Sequence, residues 1–215
     1  MEDNNDNKYK TVNIISKINE IMGQTEIIQY YKNSSDSPIE LLMEIPQLNN
    51  CCLSRFEMTV NNQKVISKIL EKEKAKEKYN DSITTGNYSL VSYINDDDKK
   101  IKICLGNIPP NQEVELKSYY INSLICNDLS YQASFPVIFP EFIIEDPKNK
   151  EEPYYLNNYE KKIVKGKIYI NTFSKITRLI INGSSNFNKI EKKNMEMIIN
   201  QLKLIYLKMN FQLLI

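Results

Sequence analysis

Apolar and polar residues alternate with a period of two along much of this chain, which predicts β-strands with one face on a core and one in water. In residues 39–45 the apolar face is Ile39, Leu41, Met43 and Ile45, with Glu40 and Glu44 opposite. In 55–60 it is Phe56, Met58 and Val60, and in 100–105 it is Ile101, Ile103 and Leu105, with Lys100 and Lys102 outside. Residues 25–32, 88–94, 113–121 and 129–135 carry a weaker version of the same pattern. Turn-forming residues separate these runs at 33–38, Asn61-Asn62, 95–98 and 109–112. Several short strands at this spacing predict a mainly β chain folded as an antiparallel β-sandwich.

One segment breaks the alternation. Residues 70–83 are rich in strong helix formers, and Ala75, Tyr79 and Ile83 fall at i, i+4 and i+8. A short amphipathic helix over about 70–85 follows, with a narrow apolar stripe and Gly86 as its C-terminal stop. Its Lys/Glu run reads as a solvated face supported by Glu71 with Lys74 and Glu73 with Lys76. The expected arrangement is a helix packed across a sandwich.

Residues 1–10 are Asn- and Asp-rich with nothing to bury, and read as a disordered tail. Residues 141–162 form a polar connector containing Pro147, Glu151, Glu152 and Pro153. Beyond it, 166–171 and 175–181 return to strand character before an Asn182-Gly183 turn. In the tail from 189 to 215, Met195, Ile198, Leu202, Tyr206 and Met209 fit a helix stripe, while 194–200 and 207–215 fit two strands. Periodicity alone leaves both open.

Composition changes the picture mainly by exclusion. With 28 basic and 27 acidic side chains the net charge is +1, which gives no general pull toward nucleic acid or an anionic membrane. There is no histidine, so Ser–His and Cys–His nucleophilic machinery and histidine metal sites are excluded. Cys51, Cys52, Cys104 and Cys126 match neither paired zinc knuckles nor a dense disulfide framework, and read as thiols packed in strands. Asp96, Asp97 and Asp98 lack the spacing and closing Glu of a calcium loop. The first ten residues lack the basic start and apolar stretch of a signal peptide, and no run approaches the ~18 apolar residues that cross a bilayer. The expectation is therefore a cytoplasmic protein without metal or other cofactor.

The order of Tyr31-Lys32-Asn33, Pro38-Ile39-Glu40, Ile45-Pro46, Phe56-Glu57, Ala75, Tyr79, Gly86, Gly106-Asn107-Ile108-Pro109-Pro110 and Val114-Glu115-Leu116 resembles that of the VIT domain, the module shared by inter-alpha-trypsin inhibitor heavy chains and vault-associated proteins. Tyr31-Lys32-Asn33 matches the family's early strand end, Pro38-Ile39-Glu40 its P-x-E, and Ile45-Pro46 its strand closing on proline. Cys51-Cys52 stands where a small pair is usual, before Phe56-Glu57. The helix motif is matched by Glu73-Lys74 (or Glu71-Lys72), Ala75 and Tyr79, followed by Gly86. Gly106-Asn107-Ile108-Pro109-Pro110 and then Val114-Glu115-Leu116 with Tyr119 and Tyr120 complete the series. At the family's closing segment, 135–142, Glu141 stands where a basic residue is common. Gly106 and Asn107 suit a tight turn, stiffened at its exit by Pro109-Pro110.

The resemblance implies a VIT domain over 11–140 and, over 163–215, a partial β region of the kind that precedes a von Willebrand factor A domain in relatives. It also implies a non-catalytic protein–protein interaction or scaffolding role, since family members sit in large assemblies. The partners expected are other proteins, with no nucleic acid, membrane or metal. Loops 33–37, 95–98 and 107–112 are candidates for contact, because sandwich loops commonly carry recognition. Two alternatives stand beside this: a truncated copy of a longer VIT/A-domain protein without independent function, and an enzyme using surface carboxylates such as Glu57 and Asp96–Asp98.

Overall fold

A computed structural model describes residues 11–47, 50–95, 100–127, 130–136, 142–144, 154–155, 163–171, 176–182, 187–191, 195–199 and 206–213. The expected tail at 1–10, the acidic turn at 96–98 and Glu141 lie outside the described residues. Strands are numbered in chain order. The largest sheet runs β16 (Phe187–Glu191), β17 (Met195–Ile199), β14 (Ile163–Asn171), β1 (Thr11–Asn19), β2 (Met22–Lys32), β9 (Glu113–Ser123), β4 (Cys51–Val60) and β5 (Gln63–Ile66). A second sheet runs β13 (Tyr154–Tyr155), β12 (Phe142–Ile144), β3 (Ile39–Pro46), β8 (Lys100–Ile108), β7 (Ser89–Asn95) and β6 (Lys68–Ile69). A smaller one joins β10 (Ile125–Asn127), β11 (Ser130–Pro136), β18 (Tyr206–Leu213) and β15 (Ile176–Asn182). The helix α1 spans Lys72–Thr84.

The fold is mainly β, as the alternation predicts. Inward residues of the first two sheets share one core: Ile14, Ile27, Phe56, Met58 and Leu116 from one, Leu41, Met43, Ile103, Leu105 and Ile108 from the other. Burying one such side chain contributes roughly 1.5–3 kcal/mol, so the shared face dominates stability. Three of the buried polar side chains, Ser16, Thr25 and Asn122, bond in a row. Ser16 Oγ lies 2.9 Å from Thr25 Oγ1, which donates to Asn122 Oδ1 at 3.4 Å.

Two features depart from the simple expectation, and a third decides between readings that periodicity leaves open. Strand β1, whose Val12, Ile14 and Ile18 are buried, begins earlier than the strands read from sequence. It pairs in parallel with β14, from Thr11 opposite Ile163 to Asn19 opposite Asn171, and β6 pairs in parallel with β7. The tail segments 195–199 and 206–213 are strands rather than helix. Their neighbours offer ladders (β14 for β17, β11 and β15 for β18) that an isolated helix stripe would forgo.

Two β-bulges switch which residues face inward. In β4 the register shifts between Leu53 and Arg55, leaving Ser54 as the extra residue, and its hydroxyl donates to the Tyr119 carbonyl at 3.0 Å. Leu53 and Phe56 both reach the core as a result. In β8, residues 105 to 108 oppose only 41 to 39, and Asn107 takes a left-handed φ of 57°. Leu105 and Ile108 are thereby both fully buried. Gly106 and Asn107 therefore form a bulge inside β8, and the tight turn comes later, at Pro110-Asn111, where Asn111 has φ 59°.

Helix α1 packs on the outer face of the second sheet, where Ala75 is buried with Val91 and Tyr93, and Leu70, Tyr79 and Cys104 close the cluster. Gly106 makes this approach possible. A Cβ there would overlap Cδ1 of Ile83 and come within 3.0 Å of the Tyr79 hydroxyl. Gly106→Ala is expected to lower stability by about 1–2 kcal/mol. Ile83→Ala in the same chain should remove most of that loss, and a double-mutant cycle by urea unfolding measures it. Equal losses in both backgrounds would show that the helix does not rest on Gly106. Gly86 has a different reason to be glycine: φ is +72° and open space surrounds it, so it serves the helix stop alone.

Beside the helix, Glu44 accepts from Lys100 Nζ at 2.6 Å and lies 3.1 Å from Lys102 Nζ. Burial by itself would raise this carboxyl, but the hydrogen bonds from Lys100 and Lys102 outweigh it and hold it below its ordinary value of 4.5. A carboxyl lowered on folding stabilises above its unfolded pKa, and that contribution disappears as pH falls through the folded value. Glu44→Gln should therefore flatten the loss of stability on acidification below about pH 4.5, read from melting temperature against pH. An unchanged acid profile would show that the pair contributes nothing.

Candidate functional site

Two of the three loops expected to carry contacts meet at one end of the sandwich, held by one buried side chain. Asn33, just past β2, is 1% exposed. Its amide donates to the carbonyl oxygens of Ser37 (2.9 Å), Ile108 (3.0 Å) and Pro109 (2.9 Å). Its Oδ1 accepts from the Ser35 backbone N–H at 3.0 Å and from the Ser35 hydroxyl at 2.7 Å, and its own backbone N–H donates to Gln112 at 2.9 Å. The segment before β3 and the turn after β8, far apart in sequence, are thus fixed as one surface. Ser34, Asp36, Ser37 and Asn111 are exposed on it. Of the third loop, 95–98, Asn95 is the last residue of β7 and residues 96–98 lie outside the described residues.

Of the motif residues, Glu40, Tyr79 and Asn107 lie near this end, whereas Pro46 stands opposite Lys100 at the far end of the β3–β8 ladder. Tyr79 donates from its hydroxyl to Glu40 Oε2 at 2.7 Å and to the Leu105 carbonyl at 3.3 Å. Asn107 reaches from the bulge to the Asn87 carbonyl at 2.8 Å and the Ile83 carbonyl at 3.3 Å, closing the helix C-terminus. Tyr31 is half-buried against the core, and burial raises its phenol pKa. Pro38 is exposed just before β3, and Pro46 is that strand's last residue. Glu73 sits in the first turn of α1, while Lys74 pairs with Glu71 at 3.1 Å in solvent. The loop 33–37 is among the contact candidates read from the sequence, but the bonds of Ser35 and Ser37 to Asn33 are visible only in the structure, because a short Ser-rich loop looks the same whether or not an asparagine beneath it is buried.

A second cluster lies on the outer face of the large sheet. Glu57 points away from the core yet is 2% exposed. Its oxygens lie 3.2 Å from Arg55 Nε and 3.2 Å from Lys64 Nζ, and it accepts from the Tyr119 hydroxyl at 3.3 Å. The Arg55 guanidinium stacks over the Tyr119 ring, 4.2 Å from its centroid. Burial, with Glu26 and Glu57 nearby, raises the Tyr119 phenol pKa. Next to it Tyr30 donates to Glu115 at 2.9 Å, and Lys117 lies 2.9 Å from the other Glu115 oxygen. The Ser54 bulge is what brings Arg55 over Tyr119; strict alternation along β4 would have put Arg55 and Glu57 on the Leu53 face.

The family comparison agrees with this architecture. The domain described as "Vault protein inter-alpha-trypsin domain", VIT, matches residues 9–120, more than half of the 215 residues. The chain belongs to the VIT family. A von Willebrand factor A domain-containing protein of Dictyostelium discoideum is 36% identical over 111 residues, 51% of this chain and 12% of that protein. A second from the same organism is 32% identical over 108 residues, 50% of this chain and again 12% of the relative. The protein mono-ADP-ribosyltransferase PARP4 of Mus musculus is 28% identical over 131 residues, 60% of this chain but 6% of its own length. What is shared is the VIT portion of much longer proteins.

Of the four thiols expected to pack in strands, Cys51 and Cys104 are half-buried, whereas Cys52 and Cys126 are exposed. Cys51 is half-buried, and burial together with neighbouring Cys52 pushes its thiol up to about 12, away from the thiolate that nucleophilic chemistry needs. Among the described residues, no three His, Cys, Asp or Glu side chains gather to hold a metal ion, and no helix is long and apolar enough to cross a membrane.

Proposed function

We propose that this VIT domain is a non-catalytic protein-interaction module that presents the loop end clamped by Asn33 to a protein partner. The observation carrying this reading is the clamp: one buried amide holds segments 33–37 and 108–112 together, so their exposed residues meet a partner preorganised. A loop ordered before binding loses less entropy on association, which is how a small surface reaches useful affinity. The non-catalytic part is supported by the engagement of both Glu57 oxygens and by the raised Cys51 thiol. No cofactor enters this reading.

The test compares the chain with a Ser34→Arg/Asp36→Arg variant, which changes exposed loop residues and leaves Asn33 intact. Proteins captured from the source lysate on the immobilised chain should fall by about tenfold on the variant while its melting temperature is unchanged. Full retention on the variant, or no protein enriched over blank resin, would remove the loop end as the site.

A further inference from the structure

The clamp at Asn33 is one of three asparagine bridges at its end of the sandwich. Val114 of β9 has Tyr31 of β2 on one side and Val60 of β4 on the other, so the Asn61-Asn62 turn lies level with Asn33 and Gln112. In the second sheet Ile39 stands opposite Ile108 and Ser89 opposite Gly106, which brings the link between α1 and β7 to the same end. Side-chain amides cross between these segments. Asn61 donates to the Tyr88 hydroxyl at 3.2 Å and so joins the two sheets, while Asn107 donates to the Asn87 carbonyl at 2.8 Å. Asn61 and Asn62 both take left-handed φ, 49° and 62°, the geometry of a tight two-residue hairpin turn. Asn61, Asn62, Thr85 and Asn87 are exposed beside the residues of the clamped loops.

The chemistry of this end is mainly uncharged. Lys32 stands opposite Glu113, Lys64 pairs with Glu57 at 3.2 Å, and Glu40 accepts from Tyr79. Asp36 and Asp81, both exposed, are the carboxylates here without an ion pair among the described residues, and the last turn of α1 holds no basic residue. What remains is amides and hydroxyls. Tyr88 packs on the core and accepts from Asn61, but its own proton has no acceptor among the described residues, so a donor stands ready at the rim.

We infer that segments 33–38, 61–62, 85–88 and 109–112 form one contact surface, joined across both sheets by Asn33, Asn61 and Asn107, and that its partner is an uncharged polar protein surface bound through hydrogen bonds. This rests on the reading of the loop end as an interaction site and adds the β4–β5 turn and the helix exit to it. The two clamped segments alone supply roughly ten residues, about half of what one side of a stable interface uses, and the added segments bring the surface near that size. Each segment is tied to another before binding, so little ordering entropy is lost on association. Contacts between neutral groups are also little affected by salt, unlike contacts between charged surfaces.

The probe is a photo-crosslinking benzophenone side chain carried at one position of the full chain, at Ser34, Asn62, Asn87 or Gln24, and irradiated in the source lysate. Gln24 is exposed on the same sheet but stands opposite Ile121, toward the other end of β2. One protein, identified by mass spectrometry, should cross-link from Ser34, Asn62 and Asn87 and not from Gln24. Its capture on the immobilised chain should change by less than about twofold as salt rises from about 50 to 300 mM. Capture should fall about fivefold on Tyr88→Phe, which removes the free donor, and about tenfold on Asn87→Arg, with melting temperature unchanged. Tyr88→Phe keeps the ring packing and covers the case where Asn87→Arg disturbs the helix exit. Cross-linking from Ser34 alone, to different proteins from Ser34 and Asn62, or equally from Gln24 overturns the inference and leaves the interaction-module reading standing. A larger loss of capture with salt overturns the uncharged partner, and loss after enzymatic deglycosylation of the lysate assigns the surface to a sugar instead. No cross-link from any of the four positions removes the loop end as a site altogether.

Discussion

Replacing Asn33 with alanine is expected to lower the stability of this chain by about 3–4 kcal/mol, a large effect for one polar side chain. The substitution removes the donors to Ser37, Ile108 and Pro109 and the acceptor for Ser35, while all four partners stay where the loops hold them. A buried carbonyl without a partner costs about 1–3 kcal/mol, and the exposed side of Ser37 lets water recover part of that. The cost should appear as a lower urea midpoint with little change in slope. N33D is the sharper comparison. It keeps the acceptor for Ser35 but turns a carboxylate toward three carbonyl oxygens. Its penalty should shrink as pH falls through the new side chain's folded pKa, because a protonated acid can donate one hydrogen bond. N33A within about 1 kcal/mol of the parent chain would mean that the loop end holds itself together without the clamp, and the preorganisation argument would fail with it.

The second large effect lies outside the matched stretch 9–120. Ile168 of β14 is 1% exposed and joins the same core cluster as Ile14 and Ile27. Ile168→Ala should cost about 3 kcal/mol through lost burial and an unfilled cavity. The diagnostic readout is hydrogen exchange of the β1 amides. β1 has β2 on one side and β14 on the other, and Gly166 sits so close that a Cβ there would meet the Ile14 carbonyl oxygen at 3.0 Å. Weakening β14 should therefore raise exchange along β1 together with exchange in β14 itself. If only 163–171 exchanges faster while β1 keeps its protection, that strand is not part of the cooperative unit.

Much of this fold was legible because burial leaves a trace in single residues. Ile39, Leu41, Met43 and Ile45 alternate with Glu40 and Glu44, and the first set is inside. Ala75, Tyr79 and Ile83 recur at helical spacing, and that stripe faces the sheet. The bulges were visible only as irregularities. Leu53 and Phe56 have opposite parity in the sequence, and the reason is a shifted ladder with Tyr119 and Tyr120 on β9. Gly106 illustrates the same limit. Its sequence neighbours suggest a turn, whereas its lack of a side chain is needed by two residues of a helix more than twenty positions earlier.

The sequence by itself determined the fold class, the strands of the central region, the helix and its inward stripe, and the family. Each depends on local periodicity or on motif order, and both are properties of a linear string. The tertiary structure alone decided that β14 would lie parallel to β1, that Asn33 would join the turn after β8, and that Arg55 would stack on Tyr119 beside a buried Glu57. These are contacts between residues 62 to 152 positions apart (Glu57 to Tyr119, Thr11 to Ile163). Their partners are chosen by which surfaces remain once the core has closed, and a buried amide or carboxylate is stable only when those partners arrive.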